Sequence, residues 1–204
     1  MIKQLLFTSF ILWNLMLWTA HVYAGGQKEE NLSHSVKAVM QKSLSDSAAP
    51  KLIFSDSQAG QAWLAEMSQR LQKRMPDKAY REDFLTTVHY EATRAGLDPQ
   101  LVLSLIQVES AFKKYAVSRV GARGYMQVMP FWVKSIGNAD HNLFNLRLNL
   151  RYGCTILRHY LDIEHGNLFR ALGRYNGSLG RATYPNLVLD KQRKYWDYKD
   201  NSRN

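Results

Sequence analysis

Glu109 stands where a carboxylate is costly. The segment from Asp98 to Phe112 carries a helix signature. Asp98 can cap it, and Pro99 suits the first helical position, where its missing N–H costs nothing. At about 100° per residue, Leu101, Leu105, Val108 and Phe112 share one face. Val102 and Ile106 lie beside them, with Gln100, Ser104 and Gln107 opposite. Glu109 falls between Leu105 and Val102, inside the apolar stripe. An acid deprived of water has its charged form disfavoured, so its pKa rises. A carboxylic acid still protonated near neutral pH can hand a proton to a glycosidic oxygen. The same placement suits a buried Glu paired with a basic side chain, and this segment alone weighs the two readings equally.

Three other groups of residues could take part in such chemistry. Gly121-Ala122-Arg123-Gly124-Tyr125-Met126-Gln127-Val128-Met129-Pro130 is a glycine-punctuated loop with one amide and two thioethers. Glycine allows tight turns and close approach to a ligand. Gln127 can both donate and accept hydrogen bonds, which suits hydroxyl and acetamido groups. Arg174-Tyr175-Asn176-Gly177 ends a helix with a phenol and an amide, and Asn145 and Asn149 sit at i and i+4 on one helix face. Each group has an ordinary reading as well. Glycine-rich loops turn, Tyr-Asn pairs end helices, and asparagines start them.

The elements that must position these residues are helical. Trp63, Leu64, Met67 and Leu71 recur at helical spacing from Gln61 onward, and Met75-Pro76-Asp77 breaks the run. Phe84, Leu85, Val88 and Ala92 mark a helix ending near Gly96, and the Glu109 helix follows. Tyr125 to Val128 form a short turn before Pro130. Asn145 caps a helix from Leu146 to Glu164, with Leu146, Leu150, Gly153, Leu157 and Leu161 on one face, and Gly166 ends it. Leu168 to Tyr175 make another helix, halted by Asn176-Gly177, and Pro185 opens a last one running toward Trp196. No segment shows sustained strand alternation, so the predicted fold class is all-α. There is no internal repeat.

The 204 residues suit one domain with extensions. Residues 1–24 have the form of a secretory signal peptide: a short basic start at Lys3, an apolar run from Leu5 to Trp18, and Val22-Tyr23-Ala24 as a cleavage site. The run is short for a spanning helix, and Asn14 interrupts it. Residues 25–59, rich in Ser, Lys, Glu and Gln, read as a poorly ordered linker in which Leu32, Val36, Val39 and Met40 make a short amphipathic turn or two. Residues 60–204 hold the domain. With Lys3 removed, 26 basic residues face 17 acidic ones, a net +9 that calls for anionic partners. Export argues against nucleic acid and leaves anionic lipid or wall polymer. Cys154, the single cysteine, cannot form an internal disulfide and reads as a small buried side chain. The six histidines form no metal-binding spacing, so neither metal nor cofactor is expected.

In this order and spacing, the motifs resemble the lysozyme-like catalytic domain of bacterial lytic transglycosylases of the soluble-lytic-transglycosylase type. Glu109-Ser110 matches the family's Glu-Ser motif, and Gly124-Tyr125-Met126-Gln127 is similar to its Gly-Leu-Met-Gln motif, with Gly121 and Met129-Pro130 also alike. Arg174-Tyr175-Asn176 is similar to its Ala-Tyr-Asn motif, and Asn149-Leu150-x-x-Gly153 to its Asn-Ile-x-x-Gly helix. The match covers roughly residues 80–198. Tyr125 replaces the usual Leu and Arg174 the usual Ala, which bears on substrate preference more than on chemistry.

The resemblance implies that Glu109 protonates the glycosidic oxygen between N-acetylmuramic acid and N-acetylglucosamine. It would then take a proton from the muramic 6-hydroxyl as a 1,6-anhydro ring closes. Ser110 would orient the acid or the substrate. Tyr175 would steady the charged intermediate or hold Glu109. Met126 and Gln127 would line the saccharide groove, with Asn176 helping to fix it. No second carboxylate stands out from the sequence, which suits assistance by the substrate's own acetamido group. The implied partner is the peptidoglycan glycan strand, met in the periplasm by a monomer. Bulk wall turnover and gap-opening for a secretion or conjugation machinery both remain open. The alternatives are a lysozyme-type hydrolase, with water as acceptor, and a non-catalytic wall-binding module. Arg174 either faces solvent or meets a stem-peptide carboxylate. Around Lys191 to Lys199, Tyr195 and Trp196 either pack on the core while the cations face water, or the cations hold the protein to the wall.

Overall fold

The computed structural model describes residues 26–198. The signal-peptide reading of residues 1–24 lies outside them, as does Lys199. The described residues form eight α-helices and no β-strand: α1 (His34–Leu44), α2 (Ser57–Leu71), α3 (Lys78–Arg94), α4 (Pro99–Ser110), α5 (Phe131–Ile136), α6 (Leu146–Ile163), α7 (Leu168–Asn176) and α8 (Thr183–Lys191). A turn of π-helix, Gln192–Trp196, follows. The all-α, lysozyme-like expectation therefore holds.

Capping side chains start most of these helices, two of them, Asp98 and Asn145, as the sequence predicts. Asp56, Asp77, Asp98, Asn145 and Asn167 each accept a backbone N–H from the first turn of α2, α3, α4, α6 and α7. The long helix α6 packs between α3 and α7 and also carries α1. Trp63, Met67, Phe84, Val88, Leu105, Ile106, Leu150 and Leu157 meet in one buried core. Helix α4 is buried on nearly every side, because α8 and the π-turn cover the face that its amides mark as polar. Ser104, expected opposite the stripe, is buried and donates to the Gln100 carbonyl at 2.6 Å. The Trp196 indole N–H reaches Gln107 Oε1 at 2.7 Å.

Residues 26–59 are tied to the domain more closely than a linker reading suggests. Met40 and Leu44 of α1 are buried, and the helix packs on α6 and α5. Its connection to α2 crosses a buried ion cluster. Arg151 of α6 holds Glu91 of α3 at 2.9 Å and donates to the Leu44 and Asp46 carbonyls, with the latter bond at 2.5 Å. Arg94 and Arg147 approach Glu91 at 3.4 Å, and Asp46 lies within 3.9 Å of all three arginines. Composition failed to show this because a four-residue apolar spacing is enough once α6 supplies a surface.

Candidate active site

Glu109 lies in the last turn of α4 and is fully buried. The helix ends at Ser110, and Ala111 and Phe112 beyond it both adopt left-handed backbone angles, φ 50° and 66°. Such angles cost non-glycine residues roughly 1–3 kcal/mol each and gather where function constrains a chain. Phe112 is held there by packing against Phe84 and Trp196.

The Tyr184 hydroxyl, from the first turn of α8, donates to Glu109 Oε1 at 2.5 Å. Tyr184 is buried, and its phenol is held well above the ordinary value by desolvation first and the Glu109 charge next. It therefore stays a donor. Tyr175 of α7 is buried beside them and donates to the Met126 carbonyl at 2.7 Å. Its phenol is also pushed well up, by desolvation and then by Glu109, while hydrogen bonding from Gln27 acts the other way. The structure thus places Tyr175 within electrostatic reach of Glu109, with its hydroxyl spent on Met126. It adds Tyr184, which no local sequence pattern distinguishes from a core tyrosine.

The loop from Gly121 is clamped rather than free. Asn149 is buried, accepts the Met126 N–H at 2.8 Å, and donates to the Arg123 and Leu143 carbonyls at 2.9 and 2.8 Å. Arg123 and Val128 exchange both backbone hydrogen bonds, closing the turn. The Met126 side chain faces inward instead of lining a groove: it is buried against Gly153, where a Cβ would meet its sulfur at 2.3 Å. Gln127 has φ 48° and donates to the Ala116 and Gly124 carbonyls at 3.1 and 2.9 Å. Its buried Oε1 has no hydrogen-bond partner, a costly state for an acceptor away from water. Ser110 donates to the Ile106 carbonyl at 3.1 Å, so its hydroxyl is engaged by its own helix. The Asn176 carbonyl accepts the Gly26 N–H at 3.0 Å.

Both departures from the family motifs have structural partners. Tyr125 is buried against Phe84, and its hydroxyl meets that of Tyr80 at 2.5 Å. Arg174 is paired with Glu164 and, at 3.6 Å, with Glu30, so it neither points to open solvent nor stands unpaired. At the C-terminus Trp196 is 1% exposed and Tyr195 46%, so one ring packs and the other does not. Cys154 is buried, and desolvation pushes its thiol up. Among the described residues, no group of three His, Cys, Asp or Glu is arranged to hold a metal ion.

A helical, lysozyme-like domain that buries one carboxylic acid beside two tyrosines is the class these features define. The chain belongs to the transglycosylase SLT domain family, whose model matches residues 86–196. It is 35% identical over 110 residues to the transglycosylase of Enterobacteria phage PRD1, covering 50% of this chain and 40% of that protein. It is 43% identical over 134 residues to the membrane-bound lytic murein transglycosylase C of Haemophilus influenzae (strain PittEE), covering 58% of this chain and 37% of the relative. The chain thus spans about two fifths of the length of these relatives.

Proposed function

We propose that the chain is a peptidoglycan lytic transglycosylase that cleaves the β-1,4 bond between N-acetylmuramic acid and N-acetylglucosamine, with Glu109 as both acid and base. The observation that carries this reading is the burial of Glu109 at the end of a helix beside two buried phenols, one of them bonded to its Oε1. Family membership and the names of the relatives point the same way.

In this mechanism the Glu109 proton passes to the glycosidic oxygen as the muramic C1–O bond breaks. The substrate acetamido oxygen shares the positive charge at C1. The muramic 6-hydroxyl then bonds to C1 and returns its proton to Glu109, closing the 1,6-anhydro ring. Tyr184 stabilises the carboxylate that exists between these two transfers, since hydrogen bonds to charged groups are the strong ones. Tyr175 ties the Met126-Gln127 turn to the acid. The orphan Gln127 Oε1 is an acceptor suited to a sugar hydroxyl or acetamido N–H. Ser110 and Asn176 complete the proposed wall-binding set, with Met126 supporting it from beneath.

The proposed location is the periplasm, reached by export and in keeping with the membrane-bound name of one relative. The enzyme works there as a monomer on glycan strands. A lysozyme-type hydrolase would use the same acid with water as acceptor, and product mass separates the two. Glu109→Gln should abolish release of soluble muropeptides from purified sacculi, because general acid–base transfer contributes ~10²–10⁴-fold. Wild-type products should be one water lighter than reducing-end muropeptides. Wild-type turnover by Glu109→Gln would refute the assignment, and only reducing muramic ends would favour the hydrolase.

A further inference from the structure

Gln27 is 4% exposed, whereas Gly26, Lys28 and Glu29 around it are exposed. Burying a primary amide is costly unless both its ends are bonded. Here they are. Gln27 Oε1 accepts the Met129 N–H at 3.2 Å and the Trp132 indole N–H at 3.0 Å. Its Nε2 donates to the Gln127 carbonyl at 3.3 Å, and the same side chain acts on the Tyr175 hydroxyl.

The flanking chain is fastened to the same wall. Gly26 N–H donates to the Asn176 carbonyl. The Gly26 carbonyl lies so close to Gly177 that a Cβ there would sit 2.0 Å from it, and Gly177 is at φ 74°. Glu30 pairs with Arg174. Residues 26–30 therefore lie between the Gln127 to Trp132 segment and the Arg174 to Gly177 segment, against Gln127 and Asn176 of the proposed saccharide-binding set.

A planar amide whose oxygen takes two N–H groups and whose nitrogen gives to a carbonyl presents the recognition pattern of a sugar acetamido group. Resting on the glycan reading of the site, we propose that residues 26–30 are a built-in occupant of it. The Gln27 carboxamide holds the place of an acetamido group, and this strap must leave before glycan binds. The strap is intramolecular, so glycan affinity is lowered in proportion to the fraction of molecules that have it released.

Titration of tri-N-acetylchitotriose, and separately of its fully deacetylated counterpart, would test this by calorimetry without turnover. Gln27→Ala should bind the acetylated trimer about tenfold more tightly than wild type, as a few neutral hydrogen bonds no longer compete. It should gain nothing for the deacetylated trimer. Glu30→Lys, which replaces the ion pair to Arg174 with repulsion and keeps the Gln27 amide, should also tighten binding. A synthetic peptide of residues 25–31 should compete with the sugar in Gln27→Ala. If both variants bind the acetylated trimer no better than wild type, or gain equally for both trimers, the strap is structural and the proposal fails while the glycan site stands. If no form of the protein binds the acetylated trimer, the glycan reading of the site fails first.

Discussion

The Tyr184 hydroxyl and Glu109 Oε1 lie 2.5 Å apart, bridging α8 and α4 across 75 residues of sequence. Tyr184→Phe removes the donor and keeps the ring that fills the core. The carboxylate then loses a bond of the kind that contributes ~1.5–3 kcal/mol. Its protonated form persists to higher pH, so the upper limb of the pH–rate profile on sacculi should move up. An unmoved limb would mean that Tyr184 serves only packing.

The Glu91–Arg151 pair should dominate the stability of the α1 attachment. Both side chains are buried, and Arg151 also holds the chain at Leu44 and Asp46. Arg151→Met strips a buried carboxylate of its best partner, a change that costs about 3–5 kcal/mol in urea unfolding. Adding Glu91→Leu removes the stranded charge, so the double variant should be more stable than the sum of the two single losses predicts. Strict additivity would show that the pair does not act as a unit.

Much of the scaffold was legible because local chemistry sets it. Asp98 with Pro99, Asn145, and the stop at Gly166 mark helix ends through their own side chains or backbone, and each was placed correctly. Helix α5 was missed because six residues after Pro130 are too few to show a period. At the site, the burial of Glu109 could be read from the α4 stripe alone, and Tyr175 from its motif. Tyr184 and Gln27 could not be read, because each acts across a long loop of chain and neither has a local pattern. The inward turn of Met126 was hidden for a related reason: it depends on Gly153, on another helix, leaving room.

His89 should make stability depend on mildly acid pH. It is buried between Phe54 and Trp63 and accepts the Ile53 N–H at 3.4 Å. Burial lowers its pKa from 6.5 to about 4. The unfolded chain thus takes up the proton more readily than the folded one. Its contribution is fully present above about pH 6.5 and is lost as pH falls toward 4. At ~1.4 kcal/mol per unit the ceiling is about 3 kcal/mol, reduced by whatever solvent reaches the ring. His89→Phe should flatten the fall in melting temperature across this window relative to wild type. An equal slope in both proteins would assign the fall to other groups.

The C-terminal cations should matter for wall attachment and little for folding. Trp196 and its bond to Gln107 supply the packing there, whereas Arg193 and Lys194 are exposed and Lys191 lies over the exposed Tyr195 ring. The surface ion pair of Arg193 with Asp190 adds little stability of its own. Replacing Lys191, Arg193 and Lys194 with Gln should therefore leave the melting temperature nearly unchanged. Exposed charges attract an anionic polymer over the Debye length, which falls from ~10 Å at 0.1 M salt to ~3 Å at 1 M. Co-sedimentation with sacculi should drop for the triple variant at low salt and match wild type at high salt. Unchanged binding at low salt would leave the grip on the wall to the active site alone.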